Sequence, residues 1–319
     1  MKRKFKILLA RPRGFCAGVV RAIDIVNKAI ERYGAPVYVR HEIVHNKRVV
    51  DTLRARGAIF VKELDDIPDG ALTVFSAHGV SEAIENTANG RGLPVIDATC
   101  PLVSKVHVEG RRHAAQGQEV IMIGHNGHPE VEGTRGRIPG GVQVVSSSED
   151  VASLQVKDSK QLAFVTQTTL SVDDTRDIIG SLRQRFPDIQ GPDLKDICYA
   201  TQNRQQSVRD LCGRVDLLLV VGAQNSSNSN RLKEIGTEMQ VPSYLIDDAD
   251  ALDESWLNGV TSIGVTAGAS APEELVEELL ARLGTLAETT IEEISDIVEN
   301  TYFKLPKALR EESVNDPGA

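Results

Sequence analysis

Aromatic residues are scarce, at 4% of 319 positions, and no apolar run reaches the roughly 18 residues that a membrane helix needs. The first shortage leaves little with which to build a stacking platform for single-stranded nucleic acid. The second gives no transmembrane segment. Positive charge is short as well: 36 Lys and Arg against 45 Asp and Glu leave a net charge of −9 and a pI near 5.4. That balance argues against a surface that coats nucleic acid, but it allows a local pocket for a small anion. The four cysteines include no C-x-x-C pair, which removes the zinc-knuckle and thioredoxin-type patterns. Neither G-x-x-x-x-G-K-[ST] nor G-x-G-x-x-G occurs, so a P-loop and a Rossmann cofactor site are unsupported.

The opening residues, MKRKFKILLARPRG, are basic, but their apolar run ends at Ala10 and no small-residue cleavage site follows. They read as the first strand of a cytoplasmic protein, where disulfides are rare and cysteines serve as buried or ligand thiols. At 41% hydrophobic and 25% charged, the chain has the material for two or three domains of roughly 100–200 residues.

Short β-branched, apolar runs alternate with helical patterns along most of the chain. Strands are expected at 5–10, 36–40, 72–77, 94–97, 119–124, 162–166, 216–222 and 261–267, apolar throughout as in parallel sheets covered on both faces. Helices are expected at 19–34, 103–117, 171–186, 201–214 and 271–284. Ser171 and Glu273 mark first turns, and Gly34, Gly117 and Gly284 mark ends. The alternation means an α/β fold.

Cys16, Cys100 and Cys198 each stand just before a helical pattern. His45 lies 29 residues after the first, His128 28 after the second and Ser226 28 after the third, each in a polar loop that follows a strand. Second polar tips follow at SAHGVS, TQTTLS and TAGASA. We therefore expect three similar α/β units with small, mainly parallel sheets in a pseudo-threefold ring. The units span 18–100, 101–198 and 199–285. Residues 1–17 supply the first cysteine and a strand that completes the third unit; 286–319 form a tail packed on the body, frayed over about its last ten residues. Ligands bind at the carboxyl ends of the strands in such sheets, so the three cysteines meet at one centre.

Three thiolates could hold zinc with an open position, or three irons of a [4Fe–4S] cluster with the fourth free. Cys212 sits mid-helix on an apolar face and reads as structural. His45, His78, His128, Thr168, Ser226, Ser227, Asn228 and Ser270 add neutral or titratable donors at the strand tips, a set suited to a diphosphate. Glu130 could relay a proton to a leaving hydroxyl, with Glu132 as its neighbouring competitor.

RGFCAGV, VRHEIVHN, FSAHGVS, DATCPLV, IGHNGHPEVEG, TQTTLSVDDT, DICYATQNRQ, NSSNSNRL and VTAGASAP, in this order from about Ile7 to Leu309, resemble the LytB family of 4-hydroxy-3-methylbut-2-enyl diphosphate reductases. The resemblance implies three α/β domains around a central [4Fe–4S] cluster on Cys16, Cys100 and Cys198, or a [3Fe–4S] form if it degrades. It puts substrate binding on the eight donor residues above and proton delivery on Glu130. It also implies an allylic diphosphate substrate, reduced flavodoxin or ferredoxin as electron donor, and the terminal step of the methylerythritol phosphate route to isoprenoids. A zinc-dependent hydrolase and a non-enzymatic iron–sulfur sensor are the alternatives.

Overall fold

In the computed structural model, the apolar run after the basic start is strand β1 (Lys4–Ala10), buried from Ile7 onward. The structure describes residues 3–294 and 297–310. The fraying expected at the extreme end therefore lies outside the described residues.

Helix α1 (Ala17–Tyr33) follows, with Ala22, Ile25, Val26 and Ala29 at helical spacing on its fully buried face. The first unit continues through β2 (Val37–Arg40), α2 (Lys47–Ala55), β3 (Ala58–Val61), β4 (Thr73–Phe75), α3 (Glu82–Gly90) and β5 (Val95–Asp97). Its sheet has the order β3-β2-β4-β5. The second comprises α4 (Pro101–Ala115), β6 (Glu119–Ile123), α5 (Pro129–Arg135), β7 (Val142–Val145), α6 (Ser148–Ser153), β8 (Leu162–Thr166) and α7 (Val172–Arg185), with the sheet β7-β6-β8. The third holds α8 (Tyr199–Cys212), β9 (Leu217–Val221), α9 (Ser227–Glu238), β10 (Ser243–Ile246), β11 (Ser262–Ala267), α10 (Glu273–Leu286) and β12 (Glu288–Ile294). Every pair of named strands is parallel. No helix among the described residues is long and apolar enough to cross a membrane.

The third sheet runs β10-β9-β11-β1-β12. The N-terminal strand thus joins it next to β11. A further strand, β12, lies in the stretch read as tail and flanks β1 on the other side. The second sheet closes less fully. In place of a fourth strand it has a single bridge between Ala163 and Gln190, after which Pro192, lacking an N–H, interrupts the ladder.

Two local expectations are corrected. Gly284 does not end a helix: α10 runs on to Leu286, and it is the Ala287 N–H that bonds back to Leu283. Cys212 is not mid-helix but the last residue of α8, buried in an apolar cluster with Val208, Leu211 and Val220.

Residues 297–310 lie across α1 and α8. Glu299 pairs with Arg204, Arg21 donates to the Lys304 carbonyl, and Tyr33 donates to that of Ala308. Leu309 is buried in the first unit's core.

Candidate active site

Cys16, Cys100 and Cys198 occupy the same place in their units, as the N-caps of α1, α4 and α8. Three helix N-termini thus meet where the thiols meet, and their unpaired N–H groups favour negative charge there. All three cysteines are free, and burial with mutual repulsion pushes Cys100 up to about 12 and Cys198 up to about 11. A bound cation would draw off the protons of Cys100 and Cys198 near neutrality. Gly18, in the first turn of α1, leaves them room: a Cβ there would sit 2.7 Å from Cys100 Sγ and 3.8 Å from Cys16 Sγ. Among the described residues, no three His, Cys, Asp or Glu side chains gather tightly enough to hold a single metal ion.

The cavity in front of the thiols is lined by all twelve residues singled out in the sequence. The rings of His45, His78 and His128 cluster, with centroids 4.2, 5.7 and 5.9 Å apart. His45 is held in the β2–α2 loop, His78 follows β4, and His128 caps α5. Burial and the neighbouring histidines depress His78 well below the ordinary range and His128 to about 4. Both rings are therefore neutral near pH 7. Since His128 Nδ1 accepts from the Glu130 N–H at 3.2 Å, the neutral ring carries its proton on Nε2.

Glu130 is 3% exposed. Burial pushes its carboxyl up to about 7, although Thr168 donates to it from its backbone N–H at 2.6 Å and its hydroxyl at 2.9 Å. Glu132 instead accepts from the Gly127 N–H and does not line the cavity.

Opposite lies the Ser/Asn loop at the start of α9. Ser226 caps that helix by accepting from the Ser229 N–H, and Asn228 Oδ1 accepts from the Ala269 N–H at 2.9 Å. Two further bonds cross between units: Ser270 Oγ donates to the His45 carbonyl and Ser227 Oγ to that of Thr169. Asn228 Nδ2 and His45 Nε2 are buried without a hydrogen-bond partner among the described residues. Such orphans cost about 1–3 kcal/mol each unless a ligand satisfies them. No Lys or Arg among the described residues lines the cavity, so an anion would be held by neutral donors, helix N-termini and imidazoles.

A profile of the LytB protein family matches residues 7–284. The chain belongs to the LytB family. A relative from Zymomonas mobilis named 4-hydroxy-3-methylbut-2-enyl diphosphate reductase is 59% identical over 305 residues, covering 96% of this chain and 90% of its own. The solved structure of the E-1-hydroxy-2-methyl-but-2-enyl-4-diphosphate reductase from Plasmodium falciparum superposes with a TM-score of 0.90 at 38% identity, over 97% of this chain and 96% of that one. Another, of (E)-4-hydroxy-3-methyl-but-2-enyl diphosphate reductase, the terminal enzyme of the non-mevalonate pathway, gives 0.64 at 32% identity, covering 88% and 99%.

The LytB-type cavity also includes residues that reading the sequence missed. Thr201 meets Cys198 Sγ through its N–H at 3.4 Å and its hydroxyl at 3.1 Å, a contact the N-cap spacing could have flagged. Tyr199 accepts from the Ala17 N–H and so joins two cysteine turns. Phe303 reaches the cavity from the C-terminal segment, which has no periodicity to announce it.

Proposed function

We propose that this chain reduces (E)-4-hydroxy-3-methylbut-2-enyl diphosphate to isopentenyl and dimethylallyl diphosphate with release of water, on a [4Fe–4S] cluster held by Cys16, Cys100 and Cys198. The observation that carries this is one buried cavity joining three thiols at helix N-termini, a carboxyl protonated near neutrality and a set of anion donors. Family membership and the names of the relatives support the same activity. The reductase names of the relatives favour an iron–sulfur centre over the zinc hydrolase. The diphosphate donors favour an enzyme over a sensor.

When bound, such a cluster supplies single electrons and an iron without a protein ligand, a Lewis acid. His45, His78, His128, Ser226, Ser227, Asn228 and Ser270 hold the diphosphate; Thr168 fixes the Glu130 carboxyl. Glu130 delivers one proton to the departing hydroxyl as the allylic C–O bond breaks and water leaves. Two electrons and a second proton, received at either end of the allyl system, complete the balance and give the two products. The electrons come from a small reduced carrier, a ferredoxin or flavodoxin, and loss of the unligated iron would leave a [3Fe–4S] form.

Anaerobically purified protein should be brown, bleach with dithionite, contain about four irons and four sulfides, and consume the allylic diphosphate when given reductant. A colourless zinc protein indifferent to reductant would overturn the proposal.

A further inference from the structure

The three histidines differ in what holds their far nitrogens. His128 Nδ1 accepts from a backbone N–H, and His78 Nδ1 lies 3.3 Å from the Ser76 hydroxyl. Only His45 has a carboxylate: its Nδ1 stands 3.4 Å from Glu42 Oε2. The same Oε2 accepts from Asn225 Nδ2 at 3.1 Å, and Asn225 immediately precedes the Ser226–Asn228 loop on the third unit. At the other end of the ring, Nε2 is buried and without a partner among the described residues.

We propose that Glu42 is a positioning residue for the diphosphate: it takes the Nδ1–H of His45, aims Nε2 at the ligand, and through Asn225 draws the Ser/Asn loop onto the same anion. With Nδ1 committed to a carboxylate, Nε2 can donate to a phosphate oxygen only once the ring takes up a proton. His45 is therefore the ring that becomes cationic when the anion binds, whereas His128 serves as a neutral Nε2–H donor.

The groups around His45 agree with this division. Its own loop brings Glu42 and His41, β4 leads to His78, and α5 brings His128 at its start. Arg54 of α2 acts on Glu42, and the third unit contributes only the neutral Asn225 and Ser270. Glu42 is the one anion in the set. Hydrogen bonds from His45 and Asn225 hold its carboxyl below the usual range, so it is ionised at working pH.

The inference rests on the diphosphate reading of the cavity, and its test separates the two. Inorganic pyrophosphate would be titrated calorimetrically into anaerobic holoenzyme, in buffers of different ionisation enthalpy, to give affinity and protons taken up. Glu42→Gln should bind on the order of tenfold more weakly and take up close to one proton fewer than wild type. Asn225→Ala should weaken binding while leaving the proton count unchanged. In steady-state assays the Glu42→Gln loss should fall on KM more than on kcat. An unaltered visible spectrum certifies that each variant is folded and loaded. Unchanged affinity in Glu42→Gln, or weaker binding with an unchanged proton count, would overturn this inference alone. Wild-type holoenzyme that binds no pyrophosphate would overturn the diphosphate reading and this inference with it.

Discussion

Glu130 receives two hydrogen bonds from Thr168 and still keeps its proton up to about pH 7, because burial costs the carboxylate more than those bonds return. Its sign in a pH profile follows. The donor form dominates below about 7 and is lost above it, so kcat at saturating substrate should fall as pH rises through that value and approach a tenfold loss per unit beyond it. Glu130→Gln should abolish this limb and lower turnover by about 10²–10⁴-fold, while keeping the visible spectrum and binding substrate. A variant turning over at the wild-type rate would remove Glu130 from proton delivery. Residues of this kind were legible because chemistry restricts them: a His-Pro-Glu triplet after a strand is an unusual place for a buried acid. Residue types alone left the choice between Glu130 and Glu132 open, because it depends on which side of a seven-residue helix faces inward, and it was the family resemblance that put it on Glu130.

Helix starts do most of the work at the next scale. A cysteine as N-cap places each sulfur at the positive end of its own helix, and Cys100→Ser should lose iron, sulfide and activity together. Gly18→Ala should reduce iron and sulfide content with little change in far-ultraviolet circular dichroism, since its Cβ would collide with Cys100 Sγ rather than break α1. A fully loaded Gly18→Ala enzyme would mean that the sulfurs can retreat. Eight strands were legible from their apolar runs, as were the helices that carry the cysteines. The strands that escaped notice, β3, β7, β10 and β12, are short or mostly solvent-facing. Thus the ETTIEEI run of β12 keeps one edge in water and shows none of the continuous apolar character that buried parallel strands display. Gly284 misled for a related reason: its conformation is not left-handed, so it carries no stop signal.

Across the whole molecule, the C-terminal segment ties the parts together. Arg204, 0% exposed, donates to the carbonyls of Gly14 and Phe15 beside Cys16 and pairs with Glu299. Arg204→Met strands a half-buried carboxylate and frees the Cys16 turn, so we expect a loss of about 3–5 kcal/mol in denaturant unfolding, with faster release of iron. Phe303→Ala should shorten the lifetime of the visible absorbance in air, because its ring walls one side of the cavity; an unchanged lifetime would mean that oxygen reaches the site by another route. The ring itself was legible from the three cysteine offsets. A tail packed on the body was read from the sequence, but not its particular contacts, since long-range bonds such as Arg21 to the Lys304 carbonyl and Arg204 to Glu299 leave no local pattern. The order in which a ribosome delivers the chain gives the insertion of β1 between β11 and β12 a temporal meaning. The first strand to emerge finds its partners, Ser262–Val265 and Glu288–Ile294, only some 250 residues later. At about 5–20 residues per second, that is a wait of roughly 10–50 s with an apolar strand unpaired. Because the turn bearing Cys16 hangs from that strand, metal loading waits on the synthesis of β11 and β12, and nascent chains stalled before residue 262 should emerge without iron.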